Sequence, residues 1–185
     1  MKRLSMVIVV MVVAAVLFSM TASAHQKGWP GKRLREAFPE ANKFTSQQVT
    51  LSADQISRIE QAIGEKLEPE SRVPTFFPGL NKAGEKRGFV LFADQTGENG
   101  KIEMGVAVDT QGIIRNVVIY TSREDRRIRQ PEFLDQFKGK SMKDTLKLGT
   151  DLTPVPGAEK ASQAIVTGVR KVLLIKQEAF GERNP

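Results

Sequence analysis

The clearest alternation along the chain lies between Gly88 and Thr121. Ile102, Met104, Val106 and Val108 alternate with Glu103, Gly105, Ala107 and Asp109, a period of two that predicts a strand with one face in the core. Gly88–Ala93 reads as a strand before it. Ile113–Thr121 reads as a third, apolar on both faces, which predicts a central strand covered on both sides. The connections Thr96-Gly97-Glu98-Asn99-Gly100 and Asp109-Thr110-Gln111-Gly112 are short and rich in turn formers, so the strands should form an antiparallel meander.

Helical periods flank the meander. Ser52-Ala53-Asp54-Gln55 has the form of a capping box, Ile56, Ile59 and Ile63 follow at helical spacing, and Gly64 supplies a stop. Pro74 and Pro78 mark a loop or edge segment. Pro131–Phe137 predicts a short helix with Pro131 in its first turn. From about Ala158 to Glu178, Ala161, Ile165, Gly168, Val169, Val172 and Leu173 form the buried stripe of a long helix, ended by Gly181 and Pro185. Strands followed by a terminal helix predict one α+β domain: a twisted antiparallel sheet with packed helices and a long C-terminal helix.

The first residues follow another logic. Lys2 and Arg3 precede an uncharged, mostly apolar run from Leu4 to Met20, and Ala22-Ser23-Ala24 is a small-residue cleavage pattern. Residues 1–24 therefore read as a signal peptide, with His25 as the first mature residue. The run is long for a signal, and an uncleaved membrane anchor is the competing reading. Either places the domain outside the cytoplasm, periplasmic or secreted, or anchored in the inner membrane. Residues 25–50, polar with Gly and Pro, read as an N-terminal linker with a short amphipathic turn around Leu34 and Phe38, leaving residues 51–185 as the domain.

Composition narrows the chemistry. The 185 residues carry a formal charge of +7, or +5 once Lys2 and Arg3 are removed. The chain has no cysteine, which excludes disulfides, thiolate metal sites, c-type haem attachment and cysteine nucleophiles. His25 is the single histidine, too few imidazoles for a copper site. Arg123, Arg126, Arg127 and Arg129 form the densest basic cluster. No interleaved aromatics accompany it, so nucleic acid is not the expected partner. Glu124 and Asp125 beside these arginines read as charge partners rather than an acid/base pair. No nucleotide-binding loop, hydrolase triad or zinc motif is present.

Several blocks then occur in a telling order: Val117-Val118-Ile119-Tyr120, a polar loop, and Pro131-Glu132-Phe133-Leu134-Asp135-Gln136-Phe137-Lys138-Gly139-Lys140. Leu146-Lys147-Leu148-Gly149-Thr150-Asp151, the Gly157-Ala158 step and Ala164–Arg170 complete the series. Together they resemble the periplasmic FMN-binding domain family, whose flavin-bearing domain is shared by subunits of the Rnf and Na+-translocating quinone reductase complexes. The resemblance covers roughly Gly88 to Leu174. It implies FMN phosphate at Gly157 and Ala158, with Glu159, Ser162 and Thr167 around it. Tyr120 or Phe92 would lie against the ring, and a loop arginine such as Arg123 would face the charge. It also implies electron transfer with periplasmic or membrane redox proteins as partners, by a carrier rather than a substrate-converting enzyme.

The departures fall at the same place. The family motif is Ser-Gly-Ala-Thr, whose Thr can carry flavin through a phosphoester; here it reads Pro156-Gly157-Ala158-Glu159. Proline has no N–H to donate, and a carboxylate neither forms that ester nor welcomes a phosphate. Any FMN should therefore be non-covalent. The alternative is a flavin-free binding or assembly module of a redox complex, docked through its arginine loop. Pro-Gly-Ala-Glu would then simply open a helix, with Glu159 suiting the macrodipole.

Overall fold

A computed structural model describes residues 30–181; the signal-peptide reading of residues 1–24 and the expected stop at Pro185 lie outside them. In chain order the elements are α1 (Gly31–Ala37), β1 (Lys43–Phe44), β2 (Gln47–Gln48), α2 (Ala53–Ile63) and α3 (Pro69–Arg72). The strands β3 (Thr75–Leu80), β4 (Lys86–Thr96), β5 (Lys101–Asp109) and β6 (Ile114–Thr121) follow, then α4 (Pro131–Leu134) and α5 (Glu159–Phe180). Two 3-10 turns, Arg126–Arg129 and Asp135–Phe137, flank α4. All strand pairings are antiparallel, in the order β1-β3-β4-β5-β6, with β2 also on β3. The expected α+β architecture and long C-terminal helix are both present.

Local signals hold where the physics is local. The Ser52 hydroxyl accepts from the Gln55 N–H, the Gln55 side chain accepts from the Ser52 N–H, and Gly64 closes α2 in the left-handed region. Pro78 lies within β3 rather than in a loop. It is registered with Phe89 of β4, but its carbonyl accepts from the Thr45 N–H at 3.1 Å on the opposite side, so its peptide faces the gap between β1 and β2 and its missing N–H removes no bond to β4.

Two expectations are corrected. β6 is an edge strand, not a central one. Its apolar character on both faces has another cause: Ile114, Val117 and Ile119 join the core under α5, while Val118 packs against a smaller core on the opposite face. That smaller core gathers Leu34, Ala37, Phe38 and Ala41 with Phe77, Val90 and Ala107. Leu34, Ala37, Phe38 and Ala41, which lie in the stretch read as a linker, are therefore packed structure. Small residues on β5 make room for them: a Cβ on Gly105 would stand 2.7 Å from the Tyr120 hydroxyl. That hydroxyl donates to the Arg33 carbonyl at 2.6 Å and ties α1 down.

α5 lies across β4 and β5 on the other face, with α2 beside it. Gly168 permits close contact there, since a Cβ would meet the Met104 sulfur at 2.8 Å. The two helical layers arrive from opposite ends of the chain and cover one sheet.

A measurement separates packed segment from linker. Leu34 is fully buried, so Leu34→Ala should destabilise the protein by about 2–5 kcal/mol in a urea titration, as core truncations do. A linker residue would leave the midpoint unchanged.

Candidate functional site

The start of α5 is built by a tight turn. The Ala158 N–H donates to the Val155 carbonyl at 2.9 Å, and Gly157 takes φ +78°, a left-handed conformation that glycine adopts without a Cβ clash. Ser162, fully buried, braces the turn from within: its Oγ accepts from the Val155 N–H at 3.0 Å and donates to the Ala158 carbonyl at 2.9 Å. The preceding segment is clamped by Gln136, whose side chain accepts from the Thr153 N–H at 2.7 Å and donates to the Thr153 carbonyl at 3.2 Å.

Glu159 turns back over this helix start. Its Oε1 accepts from the Gly157 N–H at 2.9 Å. That bond, then one from its own amide, with Arg127 adding attraction, holds its carboxyl below the usual carboxylate range against a desolvation effect of opposite sign. Arg127 is the arginine that reaches the site. Its Nη2 donates to the Pro156 carbonyl at 2.9 Å and pairs with Asp125 at 2.7 Å. The arginine loop is fixed from beneath by fully buried Ile128 and by buried Glu124. The Glu124 carboxylate accepts from the Asn99 backbone N–H (2.6 Å) and side-chain amide (3.1 Å) at the tip of the β4–β5 hairpin.

The structure thus brings Gly157, Ala158, Glu159 and Ser162 together and leaves three other sequence candidates elsewhere. Thr167 lies about two turns further along α5, where its hydroxyl accepts from Gln163 at 3.4 Å. Arg123 is exposed and makes no hydrogen bond or ion pair among the described residues. Tyr120 faces the α1 side of the sheet, away from α5. The Arg33 guanidinium lies 4.9 Å from its ring centroid, Phe92 lies 5.8 Å away, and burial raises its hydroxyl pKa. Sequence reading missed Arg127 and Gln136 as the groups that shape this helix start. The first was one arginine among four, and the second was visible only as part of the Phe-Leu-x-Gln-Phe block.

The groups a flavin phosphate would use are already engaged. The Gly157 N–H is held by Glu159, the Ala158 N–H by Val155 and the Ser162 hydroxyl by two backbone groups. The first-turn amides of Lys160 and Ala161 have no partner among the described residues. A phosphate approaching them would meet the Glu159 carboxylate, a like charge at the mouth of the helix. The residues present therefore do not fit FMN phosphate in this arrangement. A shallow, largely apolar groove of about 420 Å³ lies alongside, between Arg127, Phe133, Gln136 and Pro154. No cluster of potential metal ligands occurs among the described residues.

Two solved structures are similar in fold. A subunit of the Na+-translocating NADH-quinone reductase from Parabacteroides distasonis superposes with a TM-score of 0.54 at 16% identity, covering 84% of this chain and 86% of that one. NqrC from Shewanella oneidensis gives 0.47 at 17% identity, covering 77% and 73%. No family model matches the chain, and no curated protein matches it by sequence. At this identity the likeness to the Parabacteroides reductase subunit establishes a shared fold.

Two measurements probe the helix start. Ser162→Ala should cost about 1–3 kcal/mol of stability by leaving the buried Val155 N–H without a partner, and amide exchange at Val155 should accelerate with it. Bonds from the Arg127 side chain, then from the Arg127 amide, depress the Asp125 carboxyl from 3.8 to about 2. Its contribution to stability is present above the unfolded value and is lost as pH falls through the folded one. A carboxyl NMR titration should place the midpoint near 2, and Arg127→Ala should move it back toward the ordinary aspartate value.

Proposed function

We propose that this chain is an extracytoplasmic binding or assembly module of a membrane or periplasmic redox complex, built on the FMN-binding fold and free of flavin. The observation that carries this reading is the hydrogen bond from the Gly157 N–H to the Glu159 carboxylate. The chain supplies its own anion where a ligand phosphate would sit, and proline at 156 removes a further donor. The exported location rests on the signal-like sequence of residues 1–24. The redox setting rests on the NqrC-like fold. In this role the arginine loop is the docking surface, with exposed Arg123 and Arg126 lacking ion partners among the described residues. Such unpaired cations attract acidic partner surfaces and speed encounter.

A second reading has FMN bound non-covalently and the protein acting in electron transfer. The NqrC-like fold and the apolar groove beside Arg127 favour it. It requires Glu159 to leave the Gly157 amide.

FMN titration followed by flavin fluorescence, with the visible spectrum of the purified protein, decides between them. The flavin-free module should be colourless and leave FMN fluorescence unchanged. Replacing Pro156 by Ser and Glu159 by Thr together should create measurable FMN affinity by freeing the helix start. A yellow wild-type protein, or saturable quenching of FMN by it, would overturn the flavin-free reading in favour of the second.

A further inference from the structure

β4 is longer than the strand beside it. β3 pairs with β4 only at Lys86 and from Gly88 to Val90, whereas β4 keeps an unbroken register with β5 from Gly88 to Thr96. From Leu91 to Thr96 one edge of β4 therefore has no strand on it. The direction of the backbone groups follows from the hairpin. The Gly97 N–H donates to the Gly100 carbonyl at 2.8 Å, and antiparallel bonding alternates from that pair. The peptide groups of Phe92, Asp94 and Thr96 thus point toward the open edge. The Asp94 carbonyl bears this out: the ammonium of Lys171, reaching across from α5, donates to it at 3.0 Å.

Exposed edges are commonly blunted by proline, bulges or charge. Residues 91–96 contain no proline, and the ladder to β5 has no bulge there; the charge on this edge is Lys171, which covers the Asp94 carbonyl alone. A cavity of about 630 Å³ runs along this edge, walled by Leu91–Asp94 on one side and by Pro74 and Thr75 on the other. Val73 adds an exposed apolar side chain, and Glu68 and Glu70 line the cavity without forming a salt bridge among the described residues, Glu68 acting on Lys171 only at longer range. In a chain of net charge +7 this is an acidic locality. Lys171 is 4% exposed and is occupied with the Asp94 carbonyl. Burial lowers its pKa, opposed by Glu65, Asp94 and Glu68.

We propose that the open edge of β4 accepts an extended protein segment bearing Lys or Arg, which adds as a further strand and places its cations against Glu68 and Glu70. Main-chain bonds supply the affinity in such strand addition, and side chains supply the selectivity. Six residues of edge, about 20 Å, suit a short linear segment. A second copy of this chain fits poorly, since symmetric pairing through this edge would set the same carboxylates against each other. The inference is independent of whether the helix start holds flavin.

The test uses the purified protein and two fluorescein-labelled hexapeptides, Lys-Val-Lys-Val-Lys-Val and Glu-Val-Glu-Val-Glu-Val, with anisotropy as the readout. The basic peptide should bind saturably and at least about tenfold more tightly than the acidic one, weakening as salt rises and screens the rim. Asp94→Pro removes an N–H that faces the open edge, together with the carboxylate that pairs with Lys101, and keeps the β5 ladder; it should abolish binding, while Asp94→Asn, which loses only the charge, retains it. Circular dichroism checks that the proline variant is folded. Glu68→Lys with Glu70→Lys, both at exposed positions, should lower affinity for the basic peptide by at least about tenfold through reversed charge. Equal binding of the two peptides, or unchanged binding in a folded Asp94→Pro or in the charge-reversed variant, overturns the proposal.

Discussion

Coverage of β5 on both faces is the constraint on which the rest of this structure depends. A strand bearing Ile102, Met104, Val106 and Val108 on one side must bury them, and α5 does so with Gly168 pressed against Met104. The reverse side carries Gly105 and Ala107, residues too small to fill space themselves. That shallow surface is where Tyr120 lies and where α1 is seated. Packing of this density leaves little room for adjustment. The positions of α1, the arginine loop and the α5 start are therefore consequences of how one strand is sandwiched. Glu103 reinforces the arrangement from the strand itself, accepting from Thr121 at 3.0 Å and from Arg33 at 3.3 Å.

What could be read in advance follows the range of the interaction. The capping box at Ser52, the stop at Gly64, the two hairpins and the stripe of α5 are local patterns, and all are present. The placement of β6 was not legible, because an apolar second face reads the same whether a strand is central or an edge strand covered by a helix from elsewhere. α1 was not legible as packed structure either. Two turns are too short to display a convincing period, and its partners, Phe77, Val90 and Ala107, lie far along the chain. At the helix start, the sequence singled out Pro156 and Glu159 as departures from the family motif it resembles. It could not reveal that Glu159 folds back onto the Gly157 amide, or that Arg127 rather than Arg123 comes to the site, since both depend on side-chain geometry across a turn.

Fold and chemistry separate cleanly here. The frame rests on the sheet and α5, whose packing tolerates wide sequence change so long as volume and pattern persist. Ligand chemistry at the helix mouth rests on a handful of groups, and a single carboxylate alters it. A protein can thus keep the frame while its helix start closes upon itself.

The arginine loop is tied at two ends. Glu124 fastens it to the tip of the β4–β5 hairpin through Asn99, and Arg127 fastens it to the turn before α5 through the Pro156 carbonyl. A loop held this way has already spent its conformational entropy on folding. Whatever meets the guanidinium groups of Arg123 and Arg126, unpaired among the described residues, encounters a backbone that needs little further ordering, so less of the contact energy is consumed by immobilisation. The same two ties make the loop a mechanical bridge: force applied at the arginines would pass into the sheet and the long helix together.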